Sequence, residues 1–143
     1  MKLHLIHAAL VHVPVAFLVI GGLVEAAALL GRRPGAARFG GALVLVGAIA
    51  LVPTIVAGLV AENVAVVSAE AHDTLEAHER NAWFLLGAVV ALVAWKAWHR
   101  GQVPERLRVL YALGLLVTVA LVLWGAWLGG ELVYGYGVGV GVG

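Results

Sequence analysis

The 143-residue chain has no cysteine. Disulfides, iron–sulfur ligation, covalent c-type haem attachment and thiol nucleophiles are therefore excluded. Charge is scarce too: Asp, Glu, Lys and Arg make up 12%, against roughly 25% in an ordinary soluble domain. The formal net charge of +1 gives no electrostatic footprint for nucleic acid. No nucleophile–base constellation is visible, so no catalytic residues are assigned.

What fills the chain is apolar side chain, at 63% of residues. A soluble domain this small cannot hide that much. Lipid must be the solvent for most of it. Four apolar runs have membrane-helix length, at about 8–30, 39–60, 82–98 and 109–130. Lipid offers backbone groups no partners, so the runs must be helices. The expected fold is all-α, a single four-span domain built as an up-down four-helix bundle. Glu25, Pro14 and three histidines fit a cleavable signal core poorly, so the first run is read as a retained span.

Residues 31–38 and 100–108 form short connections, broken by Pro34 and Pro104. Residues 61–81 form a longer outer segment, with Ser68 placed to cap a helix running on into the third span. The third run has only 14 residues before Lys96, so that helix is expected to begin near Ala69, with Lys96 snorkelling. Arg32, Arg33, Arg38, Lys96, Arg100, Arg106 and Arg108 flank the short connections, seven of the nine basic residues. The positive-inside rule makes those connections cytoplasmic and both termini extracytoplasmic. Six of the eight acids fall on the opposite side. Glu25, inside the first span, is expected to snorkel or to pair with Arg32 or Arg38; a proton site is the alternative.

Five of the six histidines gather at the acidic end: His4, His7 and His12 at the outer end of the first span, His72 and His78 in the helix leading into the third. At about 100° per residue, His7 and His12 diverge by about 140°, and His72 and His78 by about 120°. Each helix thus offers one inward histidine per level. Two neutral imidazoles facing each other across a bundle suit a low-spin b-type haem. The expected ligands are His12 and His78, with His7 and His72 as alternates. Small residues would make room: Gly114, Thr118, Gly125 and Gly129 on the fourth span, Gly40, Gly47, Thr54 and Ala61 on the second. Such stripes are also the ordinary device of membrane helix packing. A non-haem transition metal on His4, His7, His72, Glu76 and Glu79 is the second reading. A purely structural accessory subunit or a small transporter is the third. The Gly-rich tail, residues 131–143, alternates Gly with other residues towards its end and should be extended or coil.

The opening His7-Ala-Ala-Leu-Val-His12-Val-Pro14 resembles the HPxxVHFP start of a family of small bacterial membrane proteins. Trp127-Leu-Gly-Gly-Glu131-Leu-Val-Tyr134, with Gly137-Val-Gly-Val140, resembles that family's closing GWLGGxLVY…GVGV. The family is domain of unknown function 2231. Ala8 and Val13 depart from its Pro and Phe. The resemblance spans nearly the whole chain and implies a four-span bundle in a redox setting, beside Rieske-type or cytochrome c-like partners. It singles out His7, His12, Glu131 and Tyr134. Glu131 and Tyr134 are accordingly expected to orient a ligand histidine. Lipid contact is expected, and an oligomer is compatible with the chain.

Overall fold

The computed structural model describes residues 3–63, 65 and 67–140, with side chains from residue 6 onward. Helices are the only regular elements among them: α1 (Leu3–Leu10), α2 (His12–Leu30), α3 (Pro34–Glu62), α4 (His72–Trp98) and α5 (Arg108–Gly130). Single 3₁₀ turns, Ala69–Ala71 and Glu105–Leu107, lead into α4 and α5. Four segments are long and apolar enough to cross a membrane: Ile6–Leu30, Pro34–Glu62, Ala69–Trp98 and Glu105–Gly135.

Local chemistry sets these bounds. Pro14 has no N–H for the Leu10 carbonyl, and α1 passes into α2 at Val11 with the bonds Val11 N–H to His7 O and Val15 N–H to Val11 O kept. Pro34 starts α3 at a position where its missing donor costs nothing. Ser68 Oγ accepts from Ala71 N at 3.3 Å, starting the helix that becomes α4 well ahead of its apolar run. The tail departs from extended geometry at first. Glu131–Gly135 winds one π turn onto α5. That stretch holds no glycine before Gly135, and its Leu132 is buried, so packing holds the turn. The chain leaves the helix after it, with Gly137 and Gly139 at φ +69° and +76°.

α2 lies centrally, packed on α3 and α5; α4 packs on α5, and α1 on α3. α3 and α4 touch least among these neighbours. The α2–α3 seam is close because glycine lines it. A Cβ on Gly40 would sit 2.5 Å from Glu25 N, and one on Gly47 2.7 Å from Leu18 Cγ. The apolar core is a band of Leu18, Val44, Leu51, Val89, Leu115 and Val122 at mid-height. Phe39, Ile49, Phe84 and Leu110 point outward, more than half exposed, as a lipid-facing surface requires.

Candidate functional site

Polar side chains enter the bundle at two levels, one on each side of that apolar band. The acidic end holds His7, Thr54, His78 and Asn81. The basic end holds Glu25, Lys96 and Tyr111.

At the acidic end, α1 carries His7 against α3. Its Nδ1 lies 2.9 Å from the Thr54 carbonyl oxygen. A carbonyl only accepts, so Nδ1 carries the hydrogen and Nε2 keeps a free lone pair. The ring lies over Gly58, one turn beyond Thr54; a Cβ there would meet His7 Cε1 at 3.0 Å. Thr54 holds its own hydroxyl on the Ala50 carbonyl at 2.8 Å.

α4 carries His78 against α5. A Cβ on Gly129 would sit 3.3 Å from His78 Cε1. The ring is half-buried; its Nδ1 is buried without a well-formed hydrogen bond, and the Gly125 backbone lies within reach of the ring. One turn on, Asn81 covers Gly125 and donates to the Leu121 carbonyl at 3.0 Å. His7 is near enough to His78 for the charge of one to act on the other. Of each histidine pair, the inward members are therefore His7 and His78.

The remaining candidate residues lie elsewhere. His12 is exposed, its Nδ1 3.3 Å from the Ala9 carbonyl of its own turn. His72 is exposed, with Nε2 3.3 Å from Glu76 Oε1. Glu79 has a buried Oε1 without a partner, and Glu62 lies within reach of it. The His4 side chain lies outside the described residues. No three of the His, Asp and Glu side chains among the described residues are grouped closely enough to hold a metal ion. Glu131 folds over its own turn, Oε1 2.6 Å from where a Gly135 Cβ would sit. Tyr134 is 91% exposed and stands apart from the histidine pair. Gly125 and Gly129 both abut α4.

At the basic end, Glu25 is buried and its Oε1 accepts from Lys96 Nζ. This corrects the expectation that Glu25 snorkels or pairs with Arg32 or Arg38. Arg32 instead holds Glu105 at 3.2 Å. The reason lies in the helix ends. α2 and α4 finish at the same end of the bundle, and Gly41 leaves space where a Cβ would strike Lys96 Nζ. The Thr54 carbonyl and Gly58 were invisible as partners of His7 in the sequence. A carbonyl carries no sequence signal, and one glycine in an apolar helix reads as packing.

A family model described as "Predicted membrane protein (DUF2231)" matches residues 3–142. No curated protein and no solved structure gives a significant match.

Proposed function

The chain belongs to the DUF2231 family of predicted membrane proteins, and from that premise we propose that it is a small b-type cytochrome-like electron-transfer protein. It takes one haem b at the acidic end, between His7 and His78. The observation that carries this reading is the His7 Nδ1–Thr54 carbonyl bond. It fixes the tautomer whose Nε2 is free to ligate, as outer hydrogen bonds commonly do for ligand histidines. The buried Nδ1 of His78 supports it as well, since that ring has no well-formed hydrogen bond beyond the nearby Gly125 backbone to hold it.

A haem held by two neutral imidazoles supplies one-electron chemistry at its iron. The chain's own residues do the rest. Thr54 orients His7, and Gly58 and Gly129 leave clearance beside the two rings. The loosely joined α3–α4 side offers the path between them. The apolar band below keeps water out. At the basic end, His99 has its Nδ1 on the Trp95 carbonyl at 3.0 Å, with no second histidine beside it in the sequence. The reading is therefore one haem, not a pair forming a wire across the bilayer. The membrane is the bacterial inner membrane, with the basic connections in the cytoplasm. The redox partner, Rieske-type or cytochrome c-like, meets the acidic face.

The test is a reduced-minus-oxidised visible spectrum of detergent-purified protein, with elemental analysis of the same sample. A sharp reduced α-band at one haem per chain is the expected result. Stoichiometric metal without that band would replace haem by a site around His72, Glu76 and Glu79. Neither signal, in protein expressed with ample haem and metal, would leave a structural subunit or a small transporter.

A further inference from the structure

The second polar level, at the basic end, is not explained by electron transfer at the first. Glu25 is the most deeply buried charged residue among the described side chains, at 1% exposure. It accepts from Lys96 through Oε1 only. Its other oxygen, Oε2, is buried with no partner.

The surroundings leave Oε2 without a donor. From α3 come Gly40 and Gly41, with no side chain to offer; Arg38, on the turn before them, is exposed. From α5 comes Tyr111, fully buried, whose hydroxyl donates to the Leu92 carbonyl at 3.4 Å. Arg108, one turn nearer the basic end of α5, has its Nη1 3.5 Å from Glu105. From α4 comes Lys96, already on Oε1, and beyond it His99, held on Trp95. Two charges taken out of water for mere packing are a poor bargain, because their desolvation offsets their attraction. A buried carboxylate oxygen without a partner is rare in a folded protein and calls for an explanation beyond helix packing.

An open lone pair in a dry interior can take a proton or a small cation. A hard cation needs several oxygen ligands, and here the Lys96 ammonium stands beside the only carboxylate. A proton needs one lone pair. Lys96 is also placed to serve as the link to water: its side chain is 19% exposed, against 1% for Glu25. Ionisable groups inside membrane bundles commonly mark such proton sites.

We infer that Glu25 is a reversible proton-binding site within the bundle, reached from the basic side past Lys96. A proton from water on that side binds the Glu25 carboxylate, which becomes a neutral acid. Lys96 keeps its own proton, loses its counter-ion and swings its ammonium towards water through the gap at Gly41. Release reverses each step. One proton is taken up and one returned, with no bond to carbon changed. The site stands without the haem, and the apoprotein titrates as the loaded protein does.

The experiment is infrared difference spectroscopy of the wild-type protein in lipid, stepped from mildly acid to mildly alkaline pH. The expected result is the C=O stretch of a protonated carboxyl in an apolar setting, rising and falling reversibly. Above its midpoint the band should fall about tenfold per pH unit. Glu25→Gln should remove it and Glu25→Asp should shift it, the second serving if the first does not fold. Lys96→Met should extend the band to higher pH, because the carboxylate loses the cation that favours its ionised form. A band unmoved by both Glu25 substitutions belongs to another acid, such as Glu62 or Glu79, and overturns the inference. So does a Glu25 band that is absent, or constant, across the whole range. Haem content is read separately, so failure of one proposal does not touch the other.

Discussion

His7 on α1 and Thr54 on α3 are 47 residues apart in the chain, yet the imidazole Nδ1 lies 2.9 Å from the threonine's carbonyl oxygen. The contact ties the start of the chain to the second span and presents Nε2 as a base. If that base ligates haem, His7→Ala and His78→Ala should each abolish one-haem stoichiometry. His12→Ala and His72→Ala should leave it intact, because both rings are exposed. The pyridine haemochrome of the four purified variants decides it. Haem retained without His7 and lost without His12 would reverse the ligand assignment.

Clearance beside the rings gives a second prediction. Valine at position 58 or 129 places a branched side chain where the histidine ring now lies, 3.0 and 3.3 Å from the first added carbon. Overpacking of this kind costs about 1–3 kcal/mol. Gly58→Val and Gly129→Val should lower haem content or shift the α-band while the helical circular dichroism stays. Gly130→Val, where a Cβ meets nothing within 4 Å, is the control and should leave the spectrum unchanged.

The four spans were legible because lipid imposes one solution on long apolar runs. The inward histidine was legible only as a choice between two per helix. Periodicity gives relative angles, and the packing of α1 on α3 sets which of His7 and His12 turns in. Glu25 was visible as an oddity inside a span, but its partner was not. Arg32 and Arg38 are nearer in sequence, while Lys96 is nearer in space through the gap at Gly41. The small-residue stripes were read as room for a cofactor. Gly40, Gly47 and Gly114 are taken up by neighbouring helices, and among the described residues only Gly58 and Gly129 lie against histidine rings.

The same glycines separate packing from propensity. A methyl on Gly40 would press on the α2 backbone at 2.5 Å, where no side chain can give way. Gly40→Ala should destabilise the bundle by about 1–3 kcal/mol. Gly87 sits in the middle of α4 with nothing within 4 Å of an added Cβ. Gly87→Ala should stabilise by about 0.5–1 kcal/mol. Unfolding in mixed detergent micelles should give opposite shifts. Equal effects would mean that the α2–α3 seam is looser than described.

The buried pair predicts a coupling energy. Removing one partner strands the other charge, which costs about 3–5 kcal/mol when burial is deep. Glu25 meets that condition better than Lys96, which is 19% exposed. At alkaline pH, where Glu25 is ionised even without its partner, Lys96→Met should therefore harm stability more than Glu25→Gln, since it leaves the buried carboxylate alone; at acid pH Glu25 protonates and the difference should shrink. The double variant should be more stable than Lys96→Met. Additive losses in the double-mutant cycle would mean that the two groups do not interact in the folded protein.

Both short connections stop their helices by one device, and it gives the last prediction. Arg33 N bonds back to the Ala28 carbonyl at 2.8 Å, and Gly101 N to the Lys96 carbonyl at 2.8 Å. In each, the residue before the bonding N–H is left-handed: Arg32 at φ +54° and Arg100 at φ +57°. Glycine is the usual residue there, and a side chain in that conformation costs about 1–2 kcal/mol. The chain bears that strain at two arginines that flank the membrane on its basic side. Arg100→Gly should raise stability by about 1 kcal/mol and weaken retention of the connection on the positively charged side. Arg32→Gly should gain less, because it also gives up the Glu105 contact at 3.2 Å. Thermal unfolding measures the first effect, and accessibility of a cysteine placed at Gln102 measures the second. A fall in stability for Arg100→Gly would mean that its guanidinium holds more than the turn strains.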